Sequence, residues 1–231
     1  MSLEQTTLEQ MLPLLQVRVF AYDLLRRTFL AEPTKDLLKT VNHVGFIEAF
    51  PFVEDSALIG KGVEEVSTYL QNQDVSSEKV YNQLHWDYTR MFIGPYELPA
   101  PPWESAFLNK DRLLFQEETL KVRRAYLKYA FLAKDFGHEA DDHLGLELDF
   151  MYQLSELAKT KLNKQDVVGL MEVLEDQKAF LKEHILLWVP DLCKNIVENA
   201  QTQFYKGMAM ILEGFIKLDL KALGELLDIQ G

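Results

Sequence analysis

The stretch DLCKNIVENAQTQFYKGMAMILEGFIKL, residues 191–218, carries apolar side chains at Leu192, Ile196, Ala200, Phe204, Met208, Ile211, Phe215 and Leu218. Steps of three and four stack these residues on one face of an α-helix, whereas a strand would scatter them over both of its faces. Upstream the same spacing recurs at Val167, Leu170, Leu174, Leu181, Ile185 and Trp188. Pro190 is expected to stop that helix and Asp191 to cap the next. Near the start, Thr6 and Glu9 form a capping box ahead of an apolar run. No segment alternates with a strand's period of two, and no hairpin turn separates β-branched runs.

The expected fold class is therefore all-α, a helical bundle. Helices are expected near 6–31, 34–49, 55–72, 77–92, 111–135, 141–162, 165–188, 191–217 and 220–228. Two places interrupt the helical spacing. Residues 92–108, FIGPYELPAPPWESAFL, hold four of the eight prolines, Pro95, Pro99, Pro101 and Pro102. Proline lacks an N–H and clashes with the preceding turn, so an ordered extended loop is expected here. The second break is Phe136–Gly137, where a helix can end on a left-handed glycine. The 231 residues then form a single helical domain in two halves, about 1–92 and 109–231. The Pro-rich loop 93–108 joins them, and Phe136, Gly137 and Glu139 form the hinge.

The composition narrows the function. Apolar residues make up 48% and charged residues 26%, a soluble globular balance. The net charge of −12 repels phosphate backbones, which argues against nucleic acid and suits a basic partner. Cys193 is the one cysteine, so no disulfide framework or multi-cysteine zinc site can form within the chain. A small buried apolar role suits it better than nucleophilic chemistry. The N-terminus has neither the basic start nor the apolar run of a signal peptide. No stretch reaches the roughly 18 apolar residues of an integral membrane segment. A cytoplasmic location is expected.

Residues 138–150, HEADDHLGLELDF, pack five acids and two histidines into one short segment. His143 and Glu147, four apart, would share a helix face beside Asp142. That leaves open a carboxylate/histidine metalloenzyme on a helical bundle, although the Glu-x-x-His pairs of di-iron bundles are missing. His184 follows Glu183 directly and offers no such spacing. There is no G-x-S-x-G elbow, P-loop or G-x-G-x-x-G. A binding role accounts for more of the sequence. Trp86, Tyr88, Phe92, Tyr96, Trp103 and Phe107 crowd the proline loop, and segments 92–108 and 135–150 contain eight acids and no lysine or arginine. Side by side they would form an apolar groove with an acidic rim, suited to an apolar segment preceded by arginines. Packing of the loop against the core would explain the same rings. The pairs Arg26–Arg27 and Arg123–Arg124 are read as solvated helix faces.

The stretch Tyr88-Thr-Arg-Met-Phe92-Ile-Gly94-Pro95, with Pro101-Pro102-Trp103-Glu104-Ser105 after it, resembles the first signature of the TorD/DmsD family of redox-enzyme maturation chaperones. Glu139-Ala-Asp141-Asp142-His143-Leu-Gly-Leu-Glu147-Leu-Asp-Phe-Met151 resembles the second. His184 through Pro190 is similar to a third, weaker element. Ala140 stands where the family usually has proline.

The resemblance implies a chaperone that catalyses no reaction. It would bind the twin-arginine signal peptide and the catalytic subunit of a molybdoenzyme of the DMSO-reductase type, holding them until molybdopterin insertion and export. A relative in the NarJ branch would instead assemble a subunit that is not exported. The residues implied in peptide binding are Tyr88, Phe92, Pro102, Trp103, Glu104, Asp142 and His143. No resident cofactor is expected. GTP binding accompanies some members of the family, but no phosphate-cradling loop is present here. The chain is expected to be a monomer or an exchangeable homodimer.

Overall fold

A computed structural model of the protein describes residues 3–108, 117–131 and 139–228, with residues 3–9 described by their helical backbone only. The helices run α1 Leu3–Phe29, α2 Lys35–Val41, α3 Ala57–Asn72, α4 Glu78–Phe92, α5 Glu104–Leu108, α6 Glu117–Lys128, α7 Leu144–Asn163, α8 Val167–Phe180, α9 Leu186–Asn199 and α10 Gln203–Asp228. Among the described residues there is no strand, and the fold is all-α. Side-chain oxygens start several helices by accepting an N–H that would otherwise lack a partner: Thr34 for α2, Ser56 for α3, Ser77 for α4 and Asp166 for α8.

α10 lies at the centre and packs on α3, while α1 packs on α7, so both halves of the chain share one core. The crossing of α3 and α10 is a backbone contact. A Cβ on Gly62 would sit 2.6 Å from the Gly207 carbonyl oxygen, and one on Gly207 would sit 2.6 Å from that of Gly62. Only glycine lets the two chains come this close. A buried polar network ties four helices together. Arg18 of α1 donates from Nε to Asp219 Oδ1 (2.5 Å), from Nη2 to Asp219 Oδ2 (3.1 Å) and from Nη1 to Gln177 Oε1 (2.8 Å). Tyr22 donates to Asp219 Oδ2 (2.6 Å), and Gln177 donates to Ser155 Oγ (2.9 Å). No Arg18 or Asp219 side-chain surface is exposed.

Several expected boundaries move. Pro190 does not stop a helix but lies inside α9, which a π turn over Leu181–Ile185 precedes. With no N–H, Pro190 cannot donate to the Leu186 carbonyl four residues before it; the Leu186 N–H itself bonds back to the Leu181 carbonyl, closing the π turn. The real break is Ala200–Thr202, and the face predicted from Leu192 to Leu218 continues across it from α9 into α10. Asp87 of α4 accepts Gln201 N–H (3.0 Å), Thr202 N–H (2.8 Å) and Thr202 Oγ1 (2.8 Å), which fixes that break from outside. Thr6 falls inside α1 and not at its start, and the helix expected over 220–228 is the end of α10. The helix expected over 34–49 ends at Val41, and the chain then turns through Gly45 at φ +78°. Phe136 and Gly137 lie outside the described residues, as do 111–116 and 132–135 of the helix expected over 111–135, and within that range α6 ends at Lys128, before a turn with Ala130 at φ +50°.

Candidate functional site

The two motif-bearing segments meet. Trp103 and His143 pair as an isolated antiparallel bridge, and Leu144 N–H donates to the Pro102 carbonyl (2.8 Å). Asp142 supplies the start of α5, accepting Glu104 N–H at its carbonyl (3.0 Å) and Ser105 N–H at Oδ2 (2.9 Å). Its other carboxylate oxygen accepts Thr119 Oγ1 from α6 (2.8 Å). His143 caps α7, with Nδ1 accepting Gly145 N–H (3.0 Å). Gly145 is needed here because a Cβ would fall 2.3 Å from the Leu30 Cα. Glu139 Oε1 accepts both Trp103 Nε1–H (2.8 Å) and Ala140 N–H (3.1 Å). A proline at 140 could not make the second bond.

Most residues singled out from the sequence lie beneath the surface. Tyr88, Phe92, Pro102, Glu104, Asp142 and His143 are buried, and Trp103 is half-buried. Tyr88 donates to the Phe29 carbonyl (3.0 Å), and Phe92 lies among Phe29, Tyr88 and Tyr205. Of the acidic rim expected from 92–108 and 135–150, Glu97 is exposed, but the described carboxylates of 139–150 are engaged internally. Asp141 pairs with Arg123 (2.5 Å) and Asp149 with Arg26 (3.2 Å), while Asp142 and Glu147 face inward. Of the arginines read as solvated, Arg26, Arg27 and Arg123 are tied down, with Arg26 also stacked over the Tyr152 ring and Arg27 paired with Asp36, whereas Arg124 is exposed as expected.

A buried cluster beneath α5 was not recognised from the sequence. His184 Nδ1, on the π turn, lies 3.0 Å from Glu104 Oε2. Glu147 Oε2 accepts Trp188 Nε1–H (3.3 Å), and its carboxyl also meets that of Glu104. Burial first, then the neighbouring Glu104 and Asp142 carboxylates, push the Glu147 carboxyl well above its ordinary range and favour the neutral acid. Burial lowers the His143 imidazole, with Glu139 and Asp142 opposing it. Glu104, Glu147 and His184 each fell in one of the three motif elements, but nothing in the sequence brought the three together. Among the described residues no group of three His, Cys, Asp or Glu is placed to hold a metal ion.

Above this foundation the loop presents an open surface. Leu98, Pro99, Pro101, Ala106 and Phe107 line a cleft of about 500 Å³ with Glu97, Asn195 and Asn199. Arg90 donates to the Asn199 carbonyl (2.6 Å), which brings the end of α4 to the cleft's edge. On that side Trp86, Ile93 and Tyr96 stand 64%, 57% and 86% exposed.

The family model described as nitrate reductase delta subunit matches residues 54–194, more than half of the chain and all of both motif segments. The chain belongs to this family. Among its relatives, Chaperone protein TorD of Aliivibrio fischeri is 28% identical over 61% of this chain and 64% of its own length. Chaperone protein TorD of Aliivibrio salmonicida is 26% identical over 89% and 94%. Tat proofreading chaperone DmsD of Salmonella typhi is 27% identical over 53% of each. The match thus spans a little under two thirds of the first relative and about half of the third. A solved redox enzyme maturation protein from Archaeoglobus fulgidus aligns over 86% of this chain and 91% of its own, at 19% identity and TM-score 0.46, too loose a likeness to carry an argument. Among the described residues, no helix of this nitrate reductase delta subunit family member is long and apolar enough to cross a membrane.

Proposed function

We propose that this protein is a non-enzymatic cytoplasmic chaperone for a molybdopterin-dependent oxidoreductase of the DMSO-reductase type. It binds the twin-arginine signal peptide, the catalytic subunit, or both, and holds them until the cofactor is inserted and export begins. The names of the TorD and DmsD relatives support the class of activity. The observation that carries the reading is the exposure of Trp86, Ile93 and Tyr96 beside a loop pinned from below by Asp142. Exposed rings on a rigid support offer apolar contact at low entropy cost, and such rings anchor protein interfaces. In this reading Tyr88, Phe92, Pro102, Trp103, Glu104, Asp142 and His143 serve peptide binding by shaping the loop, and direct contact falls mainly to Trp103 and the surface around it. The reading invokes no resident cofactor.

Calorimetric titration with a peptide carrying two arginines and an apolar run tests the reading. Micromolar affinity is expected, reduced when both arginines become lysine, because lysine cannot make bidentate carboxylate contacts. Failure to bind either the peptide or its parent subunit would overturn it. The description of the family model favours a second reading, a NarJ-like assembly factor for a subunit that is not exported. Co-purification from the native host separates the two by whether the client carries a twin-arginine segment. The chain would be a monomer or a homodimer that exchanges halves about the loop and the hinge at Phe136, Gly137 and Glu139. Gel filtration over a range of concentrations reads this, and a single monomeric profile would remove the exchange while leaving peptide binding intact.

A further inference from the structure

The π turn ahead of α9 borders a second cavity, apart from the loop cleft. It has a volume of about 170 Å³, lies between α6, α7 and α8, and is walled by the rings of Tyr129, Phe150 and Phe180. Asp176, Glu183, Lys128 and Ala179 complete its wall, and His184 lines it from the buried side. Single π turns inside helices concentrate at functional sites, and this one places Glu183 and His184 at the cavity. His184 approaches Glu104 through Nδ1, and its other ring nitrogen has no partner among the described residues. The charge balance favours a cation. Lys128 is already held between Glu172 (3.1 Å) and Asp176 (2.5 Å), while Glu183 is exposed with no ion-pair partner among the described residues.

We propose that this cavity is a guanidinium site, taking one arginine side chain of the client's twin-arginine segment. This rests on the chaperone reading above. Three rings and a free carboxylate suit a planar, weakly hydrated cation, which stacks on aromatic faces and pairs with carboxylates, better than a compact ammonium. α5 lies between this cavity and the loop cleft. Its Glu104 reaches His184, and its Phe107 lines the cleft while packing on Trp188 at 5.5 Å. A peptide with an arginine in the cavity and apolar residues on the loop would therefore hold α5 from both sides.

The test titrates a twin-arginine peptide and its twin-lysine variant against wild type, Glu183→Gln and Ala179→Leu. Residues 179 and 183 are exposed, so both variants should fold, which a thermal melt confirms. Glu183→Gln is expected to weaken the arginine peptide by about two- to fivefold, the scale of a partly solvated ion pair, and to leave the lysine peptide unchanged. Ala179→Leu, which crowds the cavity, should also weaken the arginine peptide selectively. Unchanged affinity in both variants, or an equal loss for both peptides, overturns the guanidinium site while the chaperone reading stands. If the arginine peptide fails to bind wild type, the chaperone reading falls and this inference with it.

Discussion

Asp142 and Ser105, 37 residues apart in sequence, are joined by a hydrogen bond of 2.9 Å that starts α5 from a neighbouring segment. The same carboxylate holds Thr119 of α6 (2.8 Å). Asp142→Ala leaves these donors without an acceptor in the interior, so a stability loss of about 1–3 kcal/mol is expected. Peptide affinity should fall with it, because the loop loses its footing. Urea unfolding and titration on the same sample measure both. A stable variant with normal affinity would show that the loop is held some other way.

The pair Arg18–Asp219 is buried and bidentate. Asp219→Ala strands a guanidinium in the core and should cost about 3–5 kcal/mol, whereas replacing both partners by apolar residues should recover part of that loss. The recovery is incomplete because Tyr22 and Gln177 also bond to this pair. Denaturant melts of the single and double variants decide it, and additive losses would contradict it.

Gly207→Ala drives a methyl group into the Gly62 carbonyl oxygen at the crossing of α10 and α3. Overpacking of this kind should destabilise by about 1–3 kcal/mol, visible as a lower thermal midpoint. An unchanged midpoint would mean that the two helices can part there at no cost.

Two buried groups set opposite limits on stability with pH. Glu147 is held above its ordinary value of 4.5, so the unfolded chain gives up this proton first. Its contribution is complete below about pH 4.5 and declines as the pH rises toward the folded value. His143 is held below its ordinary value of 6.5, so the unfolded imidazole takes up a proton that the folded one resists. Its contribution is present above about pH 6.5 and is lost as the pH falls. Glu147→Gln should flatten the alkaline decline. His143→Asn, which retains an oxygen to cap α7, should flatten the acid one. Urea midpoints from pH 5 to 9 report both, and a Glu147→Gln profile parallel to wild type would contradict the assignment.

Helix class was legible because apolar spacing is a local signal, and the end of α4 before the prolines because proline acts on its own backbone, but α5 over Glu104–Leu108, inside the stretch expected to be an extended loop, was not. Pro190 misled because it lies inside a helix whose neighbouring Trp188, Val189, Leu192 and Cys193 are buried, and tertiary packing can override a local breaker. The break at Ala200–Thr202 stayed hidden because the group that fixes it, Asp87, lies on α4. The two site segments could be paired from composition, but not the direction of their side chains. An acid facing inward to bond Ser105 and one facing solvent look the same in sequence.

The close crossing of Gly62 on Gly207 also sets an order in time. α3 ends at Asn72 and α10 begins at Gln203, so during synthesis the second follows the first by on the order of ten seconds. Through that interval Ile59 and Val66, which α10 covers at Gly214 and Gly207, have nothing laid over them. A protein proposed to guard unfinished chains is thus itself unfinished until its central helix leaves the ribosome, and a product cut short before that helix would expose on α3 the kind of apolar face it is meant to shield.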